Sequence, residues 1–186
     1  MAIDITGAVL ESDRLRLRAW RDGDLDAFYQ YASVPGVGEM AGWPHHTNKE
    51  ITRAVLNDFM EHKNVFAVCL NEDDRAIGSL GIHRSWTEGR SGYEGLKAVE
   101  IGYVLSKAHW GKGLMPEAVR LVLSYLFEDL NMDAVTVGHF PENTQSRRVI
   151  EKCGFVFAEN GIFHAANLGK DIPEMRYIMK ANDFLS

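Results

Sequence analysis

The stretch from Val99 to Leu130 constrains this chain more than any other. "VEIGYVL" (99–105) is a short apolar run rich in β-branched and aromatic residues, as expected of a strand. From Pro116 onward the apolar residues Val119, Val122, Leu123, Leu126 and Leu130 share one helical face. Glu117, Arg120, Ser124 and Glu128 line the other. The joint between them, "HWGKGLMP" (109–116), holds two glycines, a lysine and a proline, and "DAVTVGHF" (133–140) supplies the next strand. Strand, glycine loop, helix and strand in succession place the chain in the α/β class.

The flanking sequence extends the pattern. "RLRLRAW" (14–20) alternates, with Leu15, Leu17 and Ala19 on one face of a half-buried strand, and a helix starts near Asp22. The segment 33–46 is broken by glycine and proline and reads as loop. Thr47 with Glu50 three residues on is a capping box, and Ile51, Val55 and Phe59 carry the helix that follows. "NVFAVCLNEDDRAIGSLGIHRS" (64–85) reads as a hairpin turning at Asn71–Asp74, and 86–98 as a polar surface loop. "ENTQSRRVIEKCGF" (142–155) is a helix closed by Gly154. "FVFAE" and "MRYIMKA" close the chain as strands. The expected architecture is one domain over 1–186: a mixed sheet flanked by helices, without linker or repeat.

Composition narrows the function classes. A net charge of −6 argues against general affinity for nucleic acid, which needs a basic footprint. No run of about 18 apolar residues offers a membrane span. The N-terminal "MAIDITGAVLESD" lacks the basic and apolar regions of a secretory signal. Cys69 and Cys153 have no metal-ligand spacing, so a reduced, cytoplasmic protein is the expectation.

The glycine stretch has two readings. One is a tight turn. The other is an anion cradle: backbone N–H groups converge in the loop, the helix N-terminus adds unpaired donors, and Lys112 adds charge. The stretch completes neither a dinucleotide fingerprint nor a P-loop, since position 116 is proline and no G-K-[ST] is present. A second segment favours the cradle. Ser146, Val149, Ile150 and Cys153 fall on one helical face, with Asn143 at the helix start, where an amide caps the helix or bonds a ligand.

Together, "WGKGLMPEAVRLVLSYLFEDLNM" and "ENTQSRRVIEKCGF" resemble the GNAT superfamily of acetyl-CoA-dependent N-acetyltransferases, and more narrowly its RimJ/RimL-like branch. "ESDRLRLRAWRDGDLDAFYQYAS" and "GWPHHTNKEI" are similar to that branch too. The resemblance implies a mixed, mostly antiparallel, splayed sheet. It also implies acetyl-CoA as co-substrate and an amine acceptor, either a protein N-terminus or a small molecule, with a monomer or homodimer as the assembly. In that pattern the backbone N–H groups of Gly111, Lys112, Gly113 and Leu114 would hold the pyrophosphate. Tyr103, Val104 and Leu105 would pair with the pantetheine arm, and Asn143 would hydrogen-bond it. Arg147 and Lys152 are candidates for the adenosine phosphates or for plain solvated charge. Two positions depart from the pattern: Ala108, where Gln or Arg is usual, and Pro116, where Thr is frequent.

Acetyl transfer to an amine needs a base for the ammonium proton and stabilisation of the departing thiolate. Glu100 is the first candidate base, because it sits in an otherwise apolar strand and alternates away from Val99, Ile101 and Tyr103. His45 and His46 are loop alternatives beside the acceptor. Many members of the resembling family carry a tyrosine as acid a few residues after the Asn. That spacing lands here on Ile150, so Ser146, one turn earlier, is the candidate for the thiolate. Tyr103 either donates or packs. Trp43, Pro44 and Trp86 would wall the acceptor cleft, Trp110 would anchor the loop, and Cys153 belongs to the core. Two alternatives stand beside the enzyme: a non-catalytic acyl-CoA-binding module of the same fold, and an unrelated nucleotide or methyl-donor enzyme.

Overall fold

The computed structural model describes residues 3–184; Met1 and Ala2 of the N-terminal stretch, and residues 185–186, lie outside the described residues. The elements run β1 (Leu10–Glu11), β2 (Leu15–Ala19), α1 (Leu25–Ala32), α2 (Lys49–His62), β3 (Val65–Leu70) and β4 (Ala76–Arg84). They continue with β5 (Ala98–Leu105), α3 (Leu114–Ser124), β6 (Ala134–His139), α4 (Thr144–Lys152), β7 (Val156–Ala165), β8 (Lys170–Lys180) and α5 (Ala181–Phe184). The strands form one sheet of order β1-β2-β3-β4-β5-β6-β8-β7. Every described pair is antiparallel except β5 with β6.

Two apolar layers explain the strand sequences. Phe66, Val68, Leu80, Val99 and Ile101 face α3 and α4, together with Leu114, Val119, Val122 and Ile150. Val65, Ala67, Cys69 and Ala76 face α1 and α2, against Trp20, Phe28 and Leu56. β3 is thus covered on both sides, and "VFAVC" reads as an unbroken apolar run rather than an alternation.

Local differences from the sequence expectations have physical causes. The cap of α2 is Asn48, whose side chain accepts from the Ile51 N–H at 2.9 Å, and no capping box with Thr47 forms. Helix α3 begins at Leu114, two residues before Pro116. Proline then sits in the first turn, where an N–H has no helical acceptor to lose. It ends at Ser124 in a π-helical turn, Tyr125–Asp129, which buries the adjacent Leu126 and Phe127 together. On β2, Arg18 does not face solvent: it is 3% exposed and bonds Asp24 at 2.8 and 2.9 Å and Asp74 at 3.1 Å. β1 and the short α5 carried no sequence signal, and β7 is longer than its apolar run.

Candidate active site

β5 and β6 pair only from Ala98↔Ala134 to Glu100↔Thr136. Beyond that point β5 stays with β4 as far as Gly78↔Leu105, and β6 stays with β8 as far as His139↔Met175. The two strands therefore part, as a splayed sheet requires. The unpaired half of β5 borders a cavity of about 530 Å³. Tyr103, Val104 and Leu105 form one wall, the glycine loop another, and Asn143 and Ser146 of the α4 start a third.

The loop is built for close backbone approach. Gly111 and Gly113 adopt φ of 76° and 75°, a region that a side chain makes costly. Trp110 anchors it, its indole N–H donating to the Leu105 carbonyl at 2.8 Å. Arg14 donates to the Lys112 carbonyl at 3.0 Å and to Glu117 at 2.8 Å, tying the loop to β2. The N–H groups of Leu114 and Met115 open the helix without intrahelical acceptors, so partial positive charge gathers there. Gly111, Gly113 and Leu114 line the cavity, whereas Lys112 does not. The cationic side chains in its wall are Arg148 and Lys152 of α4. Arg147 instead pairs with Glu151 at 2.8 Å. Sequence reasoning missed Arg148, and helical spacing from Lys152 was the signal for it.

Asn143 is the cap of α4. Its Oδ1 accepts from the Ser146 N–H at 3.0 Å, and its Nδ2 donates to the Met40 carbonyl at 3.1 Å. One amide hydrogen remains beyond these bonds. The Asn143–Met40 bond also fixes the α1–α2 loop over the cavity, where Val37, Met40 and Ala41 close it. Ser146 does not bond back along its own helix. Its Oγ lies 3.0 Å from the Tyr103 hydroxyl, which also donates toward the Ser146 carbonyl at 3.3 Å. Burial pushes the Tyr103 phenol well above its usual range, so it is a neutral donor.

On the other side of Tyr103 and Val104 lies a second cavity of about 710 Å³, between α2, the 41–46 loop and the floor of β4 and β5. Trp43 and Pro44 line it as expected, and so does His46. His46 is fixed to Thr52 at 2.9 Å, and burial, helped by the neighbouring His45, lowers its pKa. His45 bonds Glu39 at 2.7 Å and lies outside the wall. Trp86 is not in the wall either. The guanidiniums of Arg90 and Arg176 sit 5.6 and 5.7 Å from its ring centre. The floor carries a residue that sequence reasoning passed over, His83, directly across β4–β5 from Glu100. Its ring is exposed yet packs on Gly81, and desolvation there lowers its pKa.

Glu100 projects to this same face, two residues before Gly102 of the floor. Its carboxylate accepts from Thr136 Oγ1 at 3.1 Å and from the Trp86 backbone N–H. Burial, then the negative charge of Glu174, outweigh these bonds and push it up to about 7. Glu174 is 8% exposed and held by Arg176 at 2.9 Å. A Cβ on Gly138 would fall 2.2 Å from its Oε1, and one on Gly81 2.5 Å from His83 Nε2. Glycines inside the strands thus let His83 and Glu174 lie along the sheet face.

The two cavities share Ala41, Tyr103 and Val104. One is a cleft edged by backbone donors; the other has His83 in its floor, with the Glu100 carboxylate, pushed up to about 7, across the ladder from it. The family that the sheet and these two cavities belong to is one of acyltransferases. The chain belongs to the GNAT acetyltransferases: the family's model, described as an acetyltransferase (GNAT) domain, matches residues 14–156. The uncharacterized N-acetyltransferase p20 of Bacillus licheniformis is 32% identical over 78% of this chain and 81% of its own length. The ribosomal-protein-serine acetyltransferase of Escherichia coli is 23% identical over 82% of this chain and 84% of its own. The crystal structure of a GNAT-family acetyltransferase from Bacillus anthracis superposes with a TM-score of 0.80 at 25% identity, covering 94% of this chain and 99% of that one. Among the described residues no helix is long and apolar enough to cross a membrane, and no cluster suited to a metal ion is present.

Proposed function

We propose that the chain is a single acetyltransferase domain that carries acetyl directly from acetyl-CoA to a primary amine. The cleft of the glycine loop takes the donor, and the chamber over Glu100 takes the acceptor. The observation that carries this reading is the shared wall: the two cavities meet only where Ala41, Tyr103 and Val104 line both. The family's chemistry is acetyl transfer, and the cradle here fits a pyrophosphate-bearing thioester. Gly111 and Gly113 admit it, Leu114 and Met115 offer N–H groups, and Arg148 and Lys152 supply charge.

In this reading Glu100 takes the ammonium proton, directly or through His83 or water, and frees the amine lone pair to attack the acetyl carbonyl. The amide C–N bond forms, the C–S bond breaks with its electron pair leaving on sulfur, and the second N–H proton of the attacking amine passes to that sulfur, giving the amide and the free thiol. Ser146 hydrogen-bonds the departing thiolate, its hydroxyl hydrogen turning from the Tyr103 oxygen 3.0 Å away to the sulfur, while the Tyr103 hydroxyl donates to the Ser146 carbonyl. Because such a bond forms only as charge appears, it acts on turnover rather than on affinity. The two cysteines are free and buried, consistent with a cytoplasmic setting. The test is calorimetric titration with acetyl-CoA, ATP, NAD and S-adenosylmethionine, followed by thiol release in the presence of amines. Binding of acetyl-CoA alone with amine-dependent thiol release is the expected result. Binding without release for any amine would favour a sensing module.

A further inference from the structure

Resting on the acetyl-transfer reading, we infer that the acceptor is a small primary amine with an apolar, aryl or alkyl body, rather than a polyamine or a protein N-terminus. The chamber itself carries the argument. Its long wall is Trp43, Ile51, Val55 and Phe59, all apolar, on α2 and the loop before it. No lysine or arginine lines it, so nothing there would recognise a carboxylate or phosphate on the acceptor. The one carboxylate in its wall, Asp58, is exposed and stands 3.1 Å from His62.

Charge is therefore distributed unevenly. The acid nearest the floor is Glu100, across the ladder from His83, and Glu174 is held by Arg176; neither lines the cavity itself, and the apolar walls carry no acid but Asp58. A single cationic head with an apolar body matches that gradient. The second and third charges of a polyamine would lie against Val55 and Phe59, at the cost of their hydration. A peptide meets a different obstacle. An extended chain is bound by main-chain pairing to a free strand edge. The floor strands β4 and β5 are paired to each other from Gly78↔Leu105 to Arg84↔Val99. The unpaired edge of β5 borders the donor cleft instead. About 710 Å³ suits a molecule of arylalkylamine size held mainly by apolar contact.

The test compares 2-phenylethylamine, spermidine and a serine-initiated hexapeptide as acceptors, with acetyl-CoA binding measured separately by calorimetry. The expected result is a kcat/KM for 2-phenylethylamine at least tenfold above either competitor. Any smaller ratio overturns the inference, as does acetyl-CoA binding without turnover of 2-phenylethylamine. No heat with acetyl-CoA overturns the acetyl-transfer reading itself, and the acceptor class with it. Ile51 is 41% exposed and lies at the start of α2, so Ile51→Asp is compatible with folding. It should raise KM for 2-phenylethylamine about tenfold, lower KM for spermidine, and leave the acetyl-CoA Kd unchanged. Equal KM values for 2-phenylethylamine in variant and parent would remove the apolar wall from the argument.

Discussion

The glycine-loop cleft, proposed to take the donor, and the chamber under α2, proposed to take the acceptor, lie on either side of Tyr103, yet they are made in opposite ways. The cleft is mostly backbone: two left-handed glycines, the N–H groups of a helix start and a strand edge without a partner. The chamber is mostly side chains, drawn from α2, β4, β5 and the 41–46 loop. A backbone site tolerates many sequences but no Cβ in the wrong place. A side-chain site is set by which residues point inward, and by their charge. The first kind suits a cofactor that stays the same, the second a substrate that differs from relative to relative.

Variants should separate the two sites cleanly. The largest effect is expected from Glu100→Gln, which should lower turnover by on the order of 10²-fold at pH 7 with an unchanged acetyl-CoA Kd. The parent's rate should rise through about pH 7 as Glu100 ionises, and the variant should lose that rise. A preserved pH profile in the variant would shift the base to His83 or water. The same substitution has a consequence for stability. The folded Glu100 has its pKa raised from 4.5 to about 7, so the folded state binds the proton more tightly than the unfolded one. Stability is then lost as pH rises across that interval, by about 3 kcal/mol once Glu100 is ionised. Glu100→Gln should therefore melt higher than the parent at pH 8 and close to it at pH 4. An equal gap at both would contradict the shift.

Next in size is Ser146→Ala, expected to lower turnover by roughly 10-fold or more with little change in donor affinity. An intact rate with a raised melting temperature would reduce Ser146 to a helix residue. Gly113→Val acts on the other site. Its Cβ would meet only Arg14 at 3.8 Å, so space permits it, but φ of 75° penalises a β-branched residue. Acetyl-CoA affinity should fall more than tenfold, above about 1.4 kcal/mol, with the pH profile unmoved. Unchanged calorimetric affinity would return the loop to a plain turn. The smallest effect is expected from Asn143→Ala, which removes a helix cap and the bond to Met40, for about 1 kcal/mol of stability. A larger fall in donor affinity than in stability would show that the remaining amide hydrogen reaches the ligand.

The same contrast decides what the sequence made legible. Gly111, Gly113 and Pro116 announce the cradle because backbone geometry is local, and ten consecutive residues contain nearly all of it. Glu100 was legible too, as a lone carboxylate in an apolar strand. His83 and Glu174 were not, because their meaning arises from the register His83↔Glu100 and from how β8 lies beside β6. A faint signal existed. Gly81, Gly102 and Gly138 interrupt strand interiors, where glycine marks a close approach. Trp86 misled for the opposite reason: an aromatic beside a glycine-rich loop suggests a pocket wall, but two arginines claim its faces. The half-buried reading of 14–20 left Arg18 unremarked, since alternation alone does not reveal that α1 and α2 cover that face.

The parting of β5 from β6 after Glu100 leaves a row of amides that a complete sheet would protect from exchange with solvent. In the proposed function a bound donor pairs with this edge, so hydrogen–deuterium exchange at those residues of 101–105 whose N–H points away from β4 becomes a direct meter of occupancy. In the proposed function, donor binding to the native state also couples folding to the cell's supply of the thioester. At a donor concentration of 100 Kd the native state gains about 2.7 kcal/mol. A protein of this design would survive longest where its co-substrate is plentiful.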